Sequence, residues 1–559
     1  MDSIKDSQMQ IDSEDFGSIQ PRGDLKSQDE KMTYDQVVNS TGGFVYSVND
    51  LTRVLRFLCL GTEGGSYYAK EPELKRENIQ CIDRLIMNGR GPEVVDLICT
   101  VSIEGRACKQ GPTLYALAIC CRCNDSKTKT AAYKILGSVC RIPTHLFEFV
   151  KYCEKESSGT GWGRAHRVAI GKWYNGFSKD PKKLAYLVTK YQNRHSWSHR
   201  DVVRLAHIKP EDSKIDMILK YVVKDMASAN SMYSEDRSVV DVKAFLDGVE
   251  EAKKCTKSDI DKLRSLIVEH QLVREHVPTG LLDSKEVWDT LLRLMPMMAM
   301  IRNLGKMSTL GLLDSKSFGE TLVVDKLTNE GLLKSARIHP FSLLVAWNQY
   351  KAGRGSKGKL SWSVNDNITK ALEEAFYKAF KNVPPTGKRY LLAVDVSGSM
   401  QTPVIGSSEI EAFEASAAMM LLTARTEENF EVIAFSKGYT KLDINRVDTL
   451  NTVLKKCSNL PFSGTDCSMP MLYAIDHKKK FDVFIVYTDS ETYHGKMHPS
   501  EALKQYREYA KIHDARLIVV GMVSNGFSIA DPNDPFMMDV VGFDTEAPKA
   551  MSNFVMGKF

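Results

Sequence analysis

Beyond residue 389 the chain alternates between short apolar runs and amphipathic stretches of helical period, and no other feature narrows its possible folds so far. The run Arg389-Tyr390-Leu391-Leu392-Ala393-Val394 reads as a strand with no wet face. Helices are predicted over 410–426, 447–457, 469–477 and 500–512, and further strands over 430–435, 482–487 and 517–523. Strands that are apolar throughout and interleaved with helices are covered on both faces, the pattern of a doubly wound parallel α/β sheet. In such a sheet ligands meet the carboxyl ends of the strands, so the residues ending each run are the candidates for chemistry.

The first run ends in Asp395-Val396-Ser397-Gly398-Ser399. Alternate spacing throws the side chains of 395, 397 and 399 to one side of the turn, giving a carboxylate and two hydroxyls, a hard-oxygen set suited to Mg²⁺. Ser463-Gly464-Thr465-Asp466 supplies another hydroxyl from a second loop, and Thr488-Asp489 supplies a carboxylate where the 481–487 run ends. Hydroxyl donors leave positive charge on a metal, which can then accept a carboxylate from a protein partner. The plainer alternative is a strand-to-helix turn capped by serine. Asp395, Ser397, Ser399, Thr465 and Asp489 together resemble the metal-ion-dependent adhesion site of von Willebrand factor A domains. The resemblance implies direct contacts from the two serines and the threonine, and contacts largely through water from the two aspartates.

The rest of the chain has a different texture. Residues 1–36 carry nine acidic and four basic side chains with only Phe16 and Tyr34 as aromatics, too little apolar area to offset chain entropy, and are expected to form a disordered acidic tail. Residues 37–383 form successive helical stretches of ten to twenty residues with polar breaks, among them 54–60, 78–88, 92–102, 114–123, 131–140, 162–174, 184–193 and 201–208. A series of short helices without a strict period predicts an α-solenoid of degenerate, HEAT-like repeats. Gly61-Thr62-Glu63-Gly64-Gly65 reads as a helix-ending turn, residues 351–359 as a basic loop, and Pro384-Pro385-Thr386-Gly387 as the linker into the α/β domain, residues 384–559. The twelve cysteines imply no disulfide framework; the Cys120-x-x-Cys123 pair sits inside a helical pattern over 114–123, and Cys140 with His145 has a spacing unlike common zinc modules, so a zinc site is not expected. No apolar run is long enough to span a bilayer. A reduced, cytoplasmic setting is expected, with the nucleus a second.

Charge is concentrated. Residues 121–210 carry 18 Lys and Arg against 6 Asp and Glu, while the whole chain has 75 against 70, so one segment is strongly basic and the remainder acidic. This points to a polyanion, with nucleic acid the first candidate. On a helix over 162–175, Trp162, Ala165, Ala169 and Trp173 share one face, leaving Arg164 and Arg167 outward. Ser198 followed by Asp201 is an N-cap signature for a helix beginning at His199. Arg200, Arg204 and His207 then form a stripe opposite Val202, Leu205 and Ala206. Cations at a helix N-terminus favour phosphate, and Trp197 and His199 are placed to stack on an unpaired base.

The segments Cys140-Arg141-Ile142-Pro143-Thr144-His145-Leu146-Phe147, Gly161-Trp162-Gly163-Arg164-Ala165, Trp197-Ser198-His199-Arg200-Asp201, Lys285-Glu286-Val287-Trp288, Arg302-Asn303-Leu304-Gly305-Lys306-Met307 and Ala336-Arg337-Ile338-His339-Pro340-Phe341 resemble the TROVE module. With an A-type domain following, the chain is similar to the RNA-binding proteins of Ro ribonucleoproteins over all but its acidic tail. The resemblance implies helical repeats closed into a ring, Y RNAs on an outer basic surface, single-stranded ends of misfolded non-coding RNAs in the hole, and an RNA-binding role for His199. The charge pattern adds Arg141, Arg164, Arg200, Arg204 and Lys209. The expected function is a non-catalytic RNA-binding scaffold, monomeric within its ribonucleoprotein and without a membrane partner. The alternative is a metal-dependent protein-interaction adaptor. A metal-dependent hydrolase is disfavoured, because no general base pairs with the hydroxyl-rich turn and no Gly-x-Ser-x-Gly elbow is present.

Overall fold

The computed structural model describes residues 26–558 except 63–65, 67–69, 158, 160, 356–358, 381–382, 406–409, 458–459 and 461–462. Expectations for residues 1–25, for the end of the 61–65 turn and for the middle of the 351–359 loop therefore lie outside the described residues. The chain divides into two compact units. Among the described residues, one comprises the chain up to residue 81 with 339–341 and the stretch from 376 onward, the other residues 82–338 and 342–375.

The α/β unit is built on a six-stranded sheet in the order Met537–Val541, Arg516–Gly521, Val483–Thr488, Arg389–Asp395, Asn429–Phe435, Tyr439–Leu442. All neighbours pair in parallel except Tyr439–Leu442, which runs antiparallel at the edge beside Asn429–Phe435. The central strands 389–395 and 483–488 are buried nearly end to end, as their unbroken apolar runs require. Strand order reverses between these two, and Val394 pairs with Tyr487, so Asp395 and Thr488 leave the sheet side by side at the switch point.

The N-terminal boundary differs from expectation. Residues 26–36 are packed in the α/β unit, not free, and Gln36–Val38 and Phe44–Ser47 form a strand hairpin whose second strand pairs with Phe527–Ser528. The cause is apolar: Val45 joins the core cluster containing Leu391, Ile433, Phe484 and Val519, with Val37 packed against it. The helix Asp50–Leu60 follows in the same unit. Net charge across 1–36 conceals this, because order here comes from a few buried side chains and not from composition.

The second unit is helical. Gln110–Arg122 packs on Pro143–Glu156, Pro181–Lys190 on Val240–Lys254, and Ile260–His270 on Lys285–Leu294. Its local exception is a hairpin of Asn193–Arg194 and Trp197–Ser198. The central residues His195 and Ser196 have φ of 53° and 66°, the mirror-image turn that matches strand twist. Neither residue is a glycine, so this conformation costs about 1–2 kcal/mol each and must be held by its surroundings. None of the described helices is long and apolar enough to cross a membrane.

Candidate functional site

At the switch point of the sheet, the oxygen-bearing side chains of Asp395, Ser397, Ser399, Thr488 and Asp489 come together. Asp395 is fully buried, its Oδ2 accepting the Thr488 hydroxyl at 2.6 Å and its Oδ1 accepting the Ser397 N–H at 2.8 Å. The Ser397 and Ser399 hydroxyls lie 3.1 Å apart, and Ser399 acts to lower the pKa of the neighbouring Asp489 carboxylate against the effect of burial. The loop carrying Thr465 is held against the first turn by a bridge between Ser397 and Ser463 and by the Gly398 N–H donating to the Ser463 carbonyl at 3.0 Å. Ser397, Ser399, Thr465 and Asp489 are all buried. Ser399 and Asp489 open onto a cavity of about 20 Å³, also lined by Thr402 and Ser524, with room for one water-sized ligand.

Electrostatics single out the same group. Burial, and then the neighbouring Asp489, push Asp395 up to about 7, and burial raises Asp489 as well. Among the described residues neither carboxylate has a cationic side chain acting on it. Two buried carboxylates flanked by three hydroxyls and lacking a counter-charge are chemically matched to a small hard cation, which would supply that charge and hold anionic ligands. Among the described residues, no group of three or more His, Cys, Asp or Glu converges as a metal site, so any cation here would lean on hydroxyls.

The basic segment has its own geometry, in the helical unit. Helices Arg164–Asn175 and His199–Ala206 pack on each other. The second begins as its sequence requires, in a capping box: Ser198 Oγ accepts the Asp201 N–H at 3.3 Å and Asp201 Oδ2 accepts the Ser198 N–H at 3.0 Å. Arg164, Arg200, Arg204, His207 and Lys209 are exposed or partly so, and Arg167 is half-buried. Among the described residues none of the four arginines is paired with a carboxylate. The Lys209 carbonyl is tied back to the first helix by Asn175 Nδ2 at 2.9 Å.

Several expected placements change. His199 is 2% exposed, not surface-facing: its Nδ1 shares a 2.7 Å hydrogen bond with the Tyr174 hydroxyl, and its ring lies edge-on to Phe147 at 4.8 Å. Burial lowers its pKa to about 3, so the ring is neutral and cannot serve as a surface cation. The cause is helix phase: the first residue of this helix points inward with Val202 and Ala206. Leu205, expected inside, is 43% exposed. His207 ends the helix in the left-handed conformation at φ 49° instead of continuing the arginine stripe. Arg141 is half-buried and is spent on the end of another helix, donating to the Ser102 carbonyl and hydroxyl at 2.8 Å. The first helix begins only at Arg164, so Trp162 lies before it, edge-on to buried His166 at 4.7 Å, and Ala165 is exposed. Half-buried Trp197 leans on Trp162 with ring centres 5.9 Å apart, which leaves it partly accessible for stacking.

A unit of short helices displaying unpaired arginines, joined to a doubly wound domain with an Asp-x-Ser-x-Ser switch-point turn, defines a TROVE-plus-A-domain protein. Residues 37–266 and 264–349 match the TROVE domain, and residues 389–555 match the Ro60 vWA domain. The chain is 40% identical to RNA-binding protein RO60 of Caenorhabditis elegans, covering 96% of this chain and 93% of the relative. It is 36% identical to RNA-binding protein RO60 of Deinococcus radiodurans, covering 95% and 98%. The crystal structure of the D. radiodurans RO (RSR) protein superposes with a TM-score of 0.65 at 33% identity, over 91% of this chain and all of that one. The chain belongs to the Ro60 family.

Proposed function

We propose that this chain is a non-catalytic RNA-binding protein. Its helical unit takes small structured RNAs of the Y RNA class on the Arg164–Asn175 and His199–Ala206 helices, and accepts single-stranded ends of misfolded small non-coding RNAs, acting in RNA quality control and as a ribonucleoprotein scaffold. The observation that carries this reading is the set of exposed Arg164, Arg200 and Arg204 without carboxylate partners among the described residues, backed by Lys209. Unneutralised guanidinium groups on packed helices suit phosphate, whose neutralisation dominates affinity for nucleic acid. Two relatives named as RNA-binding proteins support it. The A-type domain would hold Mg²⁺ through Asp395, Ser397, Ser399, Thr465 and Asp489, leaving a position for a carboxylate from a protein partner.

Crosslinking the full chain to cellular RNA, followed by sequencing, tests the reading. Small structured non-coding RNAs should be enriched, and the enrichment lost in the Arg200→Ala, Arg204→Ala double variant. Recovery of polypeptides but no RNA, released by chelator, would instead favour the adaptor reading, for which the buried Asp395–Asp489 pair is the supporting feature.

A further inference from the structure

The two loops that carry Thr465 and Asp489 are braced by residues more than four hundred positions away in sequence. Gln28 is fully buried. Its Nε2 donates to Asp466 Oδ1, beside Thr465, at 2.7 Å and to the Met497 carbonyl at 2.7 Å, while its Oε1 accepts the Thr492 hydroxyl. One side chain thus pins the 465–466 turn to the 489–497 loop. The contact is close: a Cβ on Gly495 would lie 2.3 Å from Gln28 Nε2 and 2.4 Å from Asp466 Oδ1, so only glycine fits there.

The hairpin that follows grips the second loop. Asn39 Nδ2 donates to the Thr492 carbonyl at 2.8 Å, and the Ser40 N–H donates to Glu491 Oε2 at 2.9 Å. A Cβ on Gly43 would meet the Thr492 carbonyl oxygen at 1.9 Å, which puts the hairpin backbone directly on the loop. From the helix Asp50–Leu60, fully buried Arg56 donates through Nη1 to Asn525 Oδ1 at 3.0 Å and pairs through Nη2 with Asp539 at 2.5 Å. Asn525 Nδ2 then donates to the Asp489 carbonyl at 2.7 Å. Residues 489–495 contain no helix or strand; the Tyr493 and His494 N–H groups donate to the Thr465 carbonyl at 3.2 and 3.1 Å, and Gln28, Asn39 and Arg56 add the side-chain contacts that reach the two loops from outside them.

We propose that Gln28, Asn39 and Arg56 are positioning residues of the metal site, and that the 28–56 segment is an obligatory part of it although the motif lies wholly within 395–489. The inference rests on the Mg²⁺ reading above. Its physical basis is pre-organisation: donors held before the cation arrives need no ordering when it binds, and partners behind first ligands commonly carry about 10- to 100-fold in metal affinity.

The test is Mn²⁺ titration of the full chain, read by electron paramagnetic resonance, alongside hydrogen exchange of the 463–468 and 489–497 loops in metal-free protein. Wild type should bind one Mn²⁺. Gln28→Ala and Asn39→Ala should each weaken binding about tenfold or more, with faster exchange confined to those loops and the circular dichroism of the fold retained. A folded Gln28→Ala protein that binds Mn²⁺ as tightly as wild type overturns the bracing role and leaves the metal site standing. Wild type that takes up no Mn²⁺ while Gln28→Ala speeds loop exchange overturns the metal reading, and the proposal with it. Asn39→Ala keeps the test open if Gln28→Ala does not fold.

Discussion

Tyr174 and His199 share a 2.7 Å hydrogen bond where the two arginine-bearing helices cross. It fixes the phase of the His199–Ala206 helix and so directs Arg200 and Arg204 outward. His199→Ser removes a buried ring and strands the Tyr174 hydroxyl, and should cost about 2–4 kcal/mol of stability. Small-RNA affinity should fall with it, because the helix loses its fixed position. Urea unfolding and gel shift on the same preparation check this; weakened RNA binding at unchanged stability would point to a direct contact instead.

Arg200→Ala with Arg204→Ala should behave oppositely. Both side chains are exposed and without carboxylate partners among the described residues, so stability should stay within about 0.5 kcal/mol of wild type. RNA affinity should drop, and the slope of log affinity against log salt should shrink by about 0.7–0.9 for every phosphate that is no longer neutralised. An unaltered slope in the double variant would mean these arginines do not meet phosphate.

Acid should loosen the helical unit. Burial lowers His145 and His276 to about 4, and His166 and His199 to about 3. An unfolded histidine titrates at about 6.5, so below that pH the unfolded chain binds more protons and stability falls. Stability from these groups is complete above about pH 6.5 and is lost progressively as pH falls, to about 4 for His145 and His276 and to about 3 for His166 and His199. Hydrogen exchange of the helical unit across the range from neutral to about pH 5, corrected for intrinsic rates, should show protection declining steadily with acidity.

Asp395→Asn should separate metal uptake from folding. In metal-free protein the change relieves repulsion between two buried carboxylates and should raise stability by about 1 kcal/mol, since neutralising buried charge is often favourable. Divalent-cation binding should be abolished, and small-RNA affinity should be unaltered. Thermal melts in chelator and in Mg²⁺, with a parallel gel shift, read all three; a parallel loss of RNA affinity would undo the division of labour between the units.

Much of the α/β unit is legible from residue order because its strands are buried on both faces, and unbroken apolar runs such as 389–394 have few other homes. Asp395, Ser397, Ser399 and Asp489 are equally visible, because they end or follow two of those runs, whereas Thr465 lies in a loop between two helices. The Gln28, Asn39 and Arg56 contacts are not visible, since polar side chains buried by long-range pairing look like surface residues in a linear reading. A hint is present: Gly42-Gly43 between Val37-Val38 and Phe44-Val45 is a hairpin signal. His199 is hard to place for a related reason, because a helix's first residue can fall on either face and only the packed partners Tyr174 and Phe147 decide which.

The salt dependence of small structured RNA binding by the full chain, followed by fluorescence anisotropy from about 50 to 300 mM KCl, the range over which phosphate neutralisation dominates, tests the RNA-binding reading most directly. If Arg164, Arg200, Arg204 and Lys209 grip phosphate, affinity falls steeply and log-linearly, with a slope of about −2 or steeper that flattens when the arginines are removed. An affinity indifferent to salt would contradict it.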